Sequence, residues 1–470
     1  MNIFPLRFRK LDNDHIIVAD ESGSFFLAKD EFIERYVRGN LRYVEKQFLR
    51  EKGHAFDHEG DLAHMGFLSR WSLRQHVSDQ ETAYVILIPT LRCNLKCSYC
   101  QVSPASLDAS GFDWDNETLD NILNFIDNMN VHEIQIEFQG GEPFLRLDLL
   151  EKVAAFARQR FQRVKFIVCS NLQILDENIS EFLTSEDVFI STSLDGPHHI
   201  QTRNRTGHGG MTDTFLHNLE KVISLVGPER ISALPTIDPF APPDPEDLIL
   251  TYEEFGFTSI YLRSINYHGF ARKAYPATRL PVAWNSYYRN FIYALIQRNA
   301  HTGTVLEEFY MALCLRRIMS AGVDNHTDLR NPNIPTGTSV VIDFDGRLYP
   351  SDEARMLARI QQADLSIGHV ANGLDHEKLA FLAPSYINNF DPDCIHCPYQ
   401  PFCGCDPVDD LSRFGRIDVP RHTSWFCQRH LAVFDLAMEL LYSKDPVIDF
   451  TLSHWLQIES IPDALRPVAP

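Results

Sequence analysis

Between residues 83 and 265 six short apolar runs alternate with longer amphipathic ones, and this rhythm constrains the fold more than any other feature. The strand candidates are YVILIPT, EIQIEFQ, VKFIVCS, VFISTSL, ISALPTI and SIYLRSI. Between them, ETLDNILNFIDNM, LDLLEKVAAFARQRF, DENISEFLTS, MTDTFLHNLEKVISLV and DPEDLILTYEEFG space their apolar residues as helices do. Several follow an Asp, Asn or Thr able to cap the first turn. Strands joined through helices imply an α/β fold: a parallel sheet with right-handed crossovers, buried on both faces, either open or curled into a partial barrel. Functional residues of such sheets gather at the C-terminal strand ends.

The flanks read differently. LRFRKL, HIIVAD and SFFLA are extended runs separated by polar turns, and helical DEFIERYVRGN and YVEKQFLREKG follow, which predicts a small α+β unit over residues 1–78. Residues 79–300 carry the alternation. Residues 301–470 hold a helix (TGTVLEEFYMALCLRRIMS), a hairpin (SVVIDFDGRLYP) and a cysteine-rich stretch at 394–427. No apolar run approaches the roughly 20 residues of a membrane helix, and the N-terminus has no signal-peptide stretch, so the expectation is a cytoplasmic protein without a membrane partner. A formal net charge of −20 argues against a nucleic-acid partner. In a reducing compartment ten cysteines read as metal ligands or buried thiols.

Three of them, Cys93, Cys97 and Cys100, stand in TLRCNLKCSYC directly after the first strand candidate. This spacing on a tight loop turns three thiolates toward one centre, and thiolates suit iron–sulfur clusters or zinc. Three ligands leave one iron of a four-iron cluster open. Zinc needs a fourth protein donor, and the next histidine is His132. The stretch resembles the cysteine loop of the radical S-adenosylmethionine enzymes, with Tyr99 as the aromatic residue that usually precedes the last cysteine. That resemblance implies a (β/α)6 partial TIM barrel and a [4Fe-4S] cluster on the three cysteines. It further implies S-adenosylmethionine at the open iron, split to a 5′-deoxyadenosyl radical by an electron from a flavodoxin or ferredoxin-type reductant.

The resemblance continues along the strand ends. FQGGEP resembles the family's GGEP element: Gly140 and Gly141 would let backbone approach a ligand, and Glu142 would accept from the methionine ammonium. Ser170 and Asn171 match a ribose-contacting pair. STSLDGPHHIQTRNR resembles an element of peptide-modifying members, which implies Ser193 on the ribose and Arg205 on the methionine carboxylate. Arg203 is the alternative, because Gln201 and Thr202 replace the usual His-Asp. YLRSINYHGFA resembles a maturase segment, implying that Arg263 and Asn266 lie near the substrate, while His268 reads as a satisfied loop histidine.

CIHCPYQPFCGC and SWFCQRH resemble the auxiliary-cluster pattern of SPASM-type radical enzymes; on residue chemistry a zinc knuckle is the alternative. The pattern is departed from at Cys405 and at SDEA (351–354), where a cysteine is expected. This implies one auxiliary [4Fe-4S] cluster on Cys394, Cys397, Cys403 and Cys427, with Cys405 competing. Asp352 and Glu353 would line the substrate cavity, where a carboxylate can act as a base. Cys169 and Cys314 read as core thiols, with Cys314 able to reach a cluster if its helix bridges the domains. GRLYPSDEARML, CPYQPFCG and YLRSINYHGFA together resemble the His-Xaa-Ser system radical SAM maturases. A precursor peptide, leader and core, is then the implied partner, and residues 1–78 a winged-helix-like unit that takes the leader as an added strand. The implied reaction is hydrogen abstraction from a side-chain carbon, closing an oxidative, cyclophane-type carbon–carbon cross-link. Thioether formation, epimerisation, formylglycine formation and a non-catalytic zinc or cluster scaffold are its rivals.

Overall fold

A computed structural model describes residues 1–75, 82–275, 280–322, 326–335 and 337–470. The expected boundary at residues 78 and 79 lies outside them. The N-terminal unit is an antiparallel meander of β1 (Leu6–Lys10), β2 (Ile16–Asp20) and β3 (Phe25–Ala28), followed by α1 (Asp30–Val37), α2 (Tyr43–Glu51) and α3 (Leu62–Gln75). It has its own apolar core around Val18, Phe26, Phe32 and Leu49. Polar ties bind it to the rest of the chain: Arg9 chelates Asp435 at 2.9–3.0 Å, and Arg74 donates to the carbonyls of Ser22 and Arg317 at 2.7 and 3.0 Å.

Five of the six predicted strands form one parallel layer: β4 (Thr82–Leu87), β5 (Glu133–Phe138), β6 (Arg163–Cys169), β7 (Val188–Thr192) and β8 (Ile231–Ala233), adjacent in that order. The crossovers carry α4 (Asn116–Asp127), α5 (Leu147–Arg160), α6 (Glu177–Thr184) and α7 (Gly209–Val226). Asp115 caps α4 by accepting from Thr118 N–H at 2.8 Å, and Asp176 caps α6 by accepting from Ile179 N–H at 2.9 Å, as the acidic residues before these helices predict.

Two expectations are corrected. The sixth strand is broken: Thr236–Ile237 pairs with Arg263–Ser264, and Ser259–Ile260 pairs with Glu307–Glu308, as separate short ladders. Leu234 N–H still donates to Thr192 O in β7 at 2.8 Å, while Pro235 faces the other side and its carbonyl accepts from Arg263 N–H at 3.1 Å, so the end of the fifth run is what pairs with the sixth. The strands are also not apolar on both faces. In β5, Ile134, Ile136 and Phe138 are buried in the main core, while Gln135 and Glu137 line an interior cavity.

The chain continues through α8 (Pro245–Glu254), α9 (Val282–Thr302) and α10 (Phe309–Met319) to the predicted hairpin, β9 (Ser339–Ile342) and β10 (Arg347–Tyr349). β9 runs parallel to β4 on its other side, so one sheet spans both sides of residue 300. Then α11 (Asp352–Arg359), α12 (Pro407–Phe414) and α13 (Trp425–Tyr442) close over the open side of the barrel. Among the described residues no helix is long and apolar enough to cross a membrane.

Candidate active site

The loop after β4 carries Cys93, Cys97 and Cys100. Its position is set by backbone pairing with the next strand end: Gly141 N–H donates to Thr90 O at 3.0 Å and Glu142 N–H to Arg92 O at 2.8 Å. A Cβ on Gly140 would stand 2.2 Å from Thr90 O, and one on Gly141 would stand 2.0 Å from Arg92 O. The close approach expected toward a ligand is here an approach to the chain's own cysteine loop. Burial pushes the Cys93 thiol up to about 12 and the Cys100 thiol up to about 11, with the neighbouring thiols adding to both. A metal that takes them as thiolates must displace those protons.

Glu142 is 1% exposed and binds the predicted ribose pair: it accepts from Ser170 Oγ at 2.9 Å and from Asn171 N–H at 2.8 Å. Burial raises its carboxyl to about 7. Asn171 Nδ2 donates to Asn94 Oδ1 at 2.7 Å and lies 3.7 Å from Cys93 Sγ, so Glu142, Ser170, Asn171 and the first cysteine are brought together. Ser193 is half-buried; its carbonyl accepts from Gln201 Nε2 at 2.9 Å, and Gln201 Oε1 accepts from Asp195 N–H at 2.9 Å. Gln201 therefore pins the S-L-D turn.

The two candidate arginines separate clearly. Arg203 is exposed and donates to Ala241 O at 2.6 Å. Arg205 turns inward over the Tyr99 ring, donates to Tyr99 OH at 2.7 Å, and holds a cation near Cys97 and Glu142. Tyr99 OH in turn donates to Asp195 at 2.8 Å, a fully buried carboxylate that also accepts from Asn204 and from Thr236 N–H. Sequence reasoning missed Asp195, although its place at the end of a strand in SLDGP was a signal.

A cavity of about 570 Å³ opens in the barrel, bordered by Gln101, next to Cys100, and by Gln139, next to Gly140. Tyr84, Gln135, Glu137 and Ser191 face it from the strands, and Arg263, Asp352 and Glu353 from the far side. Asp352 is clamped by the buried Arg355 at 2.7 and 2.8 Å. Glu353 has no ion pair among the described residues, and burial raises its pKa with Arg263 as its nearest opposing cation. Glu137, also missed, accepts from Tyr84 OH and from Gln139 Nε2. The thiol of Cys169 lies 3.1 Å from Glu137, so Cys169 sits on the inner face and not in the core. The alternating E, Q, E, Q of EIQIEFQ was the available signal. Asn266 and His268 line a side cavity of about 50 Å³ that shares Arg263 and Glu353 with the larger one. His268 is not the satisfied histidine expected: among the described residues its buried Nδ1 has no partner, and burial lowers its pKa to about 4.

The second cysteine group surrounds another cavity, of about 270 Å³. Cys394, Cys397 and Cys403 come from short helical turns, and Ser424 caps α13 by accepting from Cys427 N–H at 3.1 Å, which places Cys427 in the first turn. Tyr399, His430 and Phe434 complete the wall. Cys405 is buried, lies 3.6 Å from Ser385 O, and borders both this cavity and the barrel cavity. Cys314 is fully buried within α10 and borders neither. Phe426 faces all three spaces. A single zinc ion would need its donors within about 4 Å of one another. Among the described residues no three His, Cys, Asp or Glu side chains are placed to hold a metal ion, and the thiol-only sets are soft donors of the kind iron–sulfur clusters take.

Residues 87–247 match the family model for the Radical SAM superfamily. The cysteine-type anaerobic sulfatase-maturating enzyme of Clostridium perfringens is 30% identical over 130 residues, covering 26% of this chain and 35% of that enzyme. An uncharacterized protein of Methanocaldococcus jannaschii is 30% identical over 115 residues, covering 24% of this chain and 38% of its own, so these relatives are matched over little more than a third of their length. In fold, the chain is similar to native anSMEcpe with bound AdoMet and Cp18Cys peptide, with a TM-score of 0.59 and 18% identity over 76% of this chain and 96% of that one. Streptococcus suis SuiB gives a TM-score of 0.50 and 14% identity over 88% and 97%. Residues 87–247 are therefore a radical SAM domain, the mark of an enzyme of the radical SAM class, joined here to a cysteine-rich C-terminal region.

Proposed function

We propose that this chain modifies a ribosomally made precursor peptide, removing hydrogen from a side-chain carbon and closing an oxidative carbon–carbon cross-link, in the manner of the His-Xaa-Ser maturases. The observation that carries the reading is a chamber large enough for a side chain, lined by Arg263 and Glu353, with a cysteine-lined cavity beyond Phe426. Cys93, Cys97 and Cys100 would hold one [4Fe-4S] cluster, and Cys394, Cys397, Cys403 and Cys427 an auxiliary one, with Cys405 outside the set. When bound, S-adenosylmethionine and the first cluster supply the radical that takes the hydrogen atom.

The chain's own residues do the rest. Glu142 and Arg205 receive the ammonium and carboxylate of S-adenosylmethionine, and Ser170, Asn171 and Ser193 its ribose. Gly140 and Gly141 hold the cysteine loop against the ligand-binding strand end. Arg263 orients the peptide in the chamber, and Glu353 takes the proton released on oxidation, because the carboxylate of Asp352 is already engaged by Arg355; the electron lost with that proton would pass to the auxiliary cluster held by the second cysteine group. Residues 1–78 serve as a winged-helix-like leader-recognition unit, residues 79–300 as the catalytic barrel and residues 301–470 as the auxiliary-cluster region. A cytoplasmic flavodoxin or ferredoxin-type reductant completes the system.

The test is anaerobic incubation of the cluster-reconstituted chain with S-adenosylmethionine, reductant and the peptide encoded beside its gene. Expected are 5′-deoxyadenosine and a peptide lighter by about two mass units. Nucleoside with an unchanged peptide mass would replace cross-linking by epimerisation. Neither product from cluster-loaded protein would overturn the reading in favour of a scaffold.

A further inference from the structure

The barrel chamber is walled by more acid than base. Among the described residues, the carboxyl groups of Glu137, Asp328, Asp352, Glu353 and Asp406 border it. The guanidinium groups are those of Arg263 and Arg330. Two of the acids are neutralised from behind the wall, Asp352 by Arg355 at 2.7 Å and Asp328 by Arg429 at 3.4 Å. Arg330 has a partner of its own, which leaves Glu137, Glu353 and Asp406 facing the single cation of Arg263. Glu137 takes its hydrogen bonds from uncharged donors: Tyr84 OH, Gln139 Nε2 at 2.6 Å and Cys169 Sγ at 3.1 Å. Asp406 accepts from the backbone N–H groups of Val408 and Asp409 at 3.0 and 2.9 Å. Among the described residues none of these three carboxyl groups makes an ion pair. Tyr386 adds a second, independent observation. It is 7% exposed, lines the same chamber, and its hydroxyl is buried without a partner among the described residues, near enough to Asp406 and Glu353 to feel their charge.

We infer that the chamber receives a basic side chain of the substrate peptide, a lysine or arginine, whose cation lies among Glu137, Glu353 and Asp406 with the Tyr386 oxygen as a further acceptor. This rests on the reading of the chain as a peptide-modifying enzyme, and it names the class of residue that the peptide presents. A metal ion is the other cation that could answer such a wall, but among the described residues no three His, Cys, Asp or Glu side chains are placed to hold one. The charge is instead spread around a cavity of about 570 Å³, which has room for a long side chain. Tyr84, Tyr261, Phe309 and Phe426 offer aromatic faces to the same space. An aliphatic stem packs against such faces, and a cation is drawn to them. An apolar guest would strip water from three interior carboxyl groups and put nothing in its place. An acidic guest would add repulsion to that loss.

The probes are blocked pentapeptides, acetyl-Gly-Phe-X-Phe-Gly-amide with X as lysine, norleucine or glutamate, added anaerobically to the cluster-reconstituted intact chain without S-adenosylmethionine. Ligand-observed NMR at low and high salt reads the affinities. The lysine peptide should bind roughly tenfold tighter than the norleucine peptide, and the glutamate peptide should bind most weakly. Glu137→Gln keeps the size of the side chain and removes its charge, so it should cut the lysine margin by about fivefold and leave norleucine binding unchanged. Tyr386→Phe deletes an oxygen atom that no described residue partners, so the fold should tolerate it while the lysine margin falls by about twofold. Equal affinities, tightest binding of the glutamate peptide, or no binding of any probe would overturn the inference. A lysine preference that high salt abolishes and both variants leave untouched would overturn it too, by assigning the cation to the acidic outer surface. Lysine preference in a chain that cross-links no peptide would remove the proposed reaction and keep the basic guest. Efficient cross-linking of a core peptide without lysine or arginine would do the reverse.

Discussion

Cys93, Cys97 and Cys100 stand among a carboxylate, an amide, a phenol and a guanidinium, on a loop whose backbone is bonded to the neighbouring strand end. Cys394, Cys397, Cys403 and Cys427 instead line a cavity walled by Tyr399, Phe426 and Phe434. On the proposed reading the first group has one thiol too few and polar side chains to spare, which keeps a coordination position for a charged ligand. The second has a full set of thiols, and the charged side chains that border it are taken up by one another, Arg9 with Asp435, Arg421 with Asp391 and Asp393 with His422. The same sulfur chemistry is thus directed toward ligand activation or toward electron storage by what surrounds it.

Exchanging single residues should break this division at the first site most completely. Cys97→Ala is expected to abolish 5′-deoxyadenosine formation and to lower bound iron from about eight to about four atoms per chain, measured by iron assay and chromatography. Any retained nucleoside formation would sink the assignment. Cys427→Ser should lower iron just as far yet leave S-adenosylmethionine cleavage intact, with no modified peptide in the mass spectrum; lost cleavage would mean that the two sites are not separable.

Smaller changes probe how the first site is held. Gly141→Ala forces a methyl group onto Arg92 O and should cost about 4 kcal/mol in urea unfolding, and a loss under about 1 kcal/mol would show that the loop can back away. Glu142 titrates at about 7 instead of 4.5 because it is buried. In the metal-free chain its contribution to stability is full below pH 4.5 and is lost as pH rises through about 7. Glu142→Gln should therefore flatten the pH dependence of unfolding, with a gain of up to about 3 kcal/mol at pH 8 and none near pH 4. The smallest effect is expected for Arg203→Ala: S-adenosylmethionine affinity by calorimetry should change less than about twofold, against tenfold or more for Arg205→Ala.

Much of the site was legible because its residues follow strand ends, and strand ends are legible from apolar periodicity. The triad, Glu142, Ser170 and Asn171 each fall just after such a run, whereas Arg205 stands beyond the turn and short helix that follow the strand ending at Thr192. The N-cap aspartates were legible for a similar local reason. What could not be read depends on contacts distant in sequence. Asp195 meets Tyr99 across 96 residues, and Leu27 finds Pro467 far along the chain. The assumption of apolar strands on both faces erred for a different reason. A barrel that encloses a working space needs hydrogen-bonding side chains on its inner wall, and EIQIEFQ supplies them in plain alternation. The sixth run divides between two partners that sequence does not announce, its start pairing with Glu307–Glu308 and its end with Thr236–Ile237.

Phe426 gives this arrangement a consequence of its own. One ring is a party wall shared by three rooms, so its size cannot be tuned for one occupant alone. Trimming it to admit a bulkier guest to the chamber would at the same time breach the enclosure of the second cysteine group. Enlarging it to seal that enclosure would narrow the guest list. On the proposed reading, the range of tolerated substrates and the shielding of a redox centre would be inherited together, through one side chain.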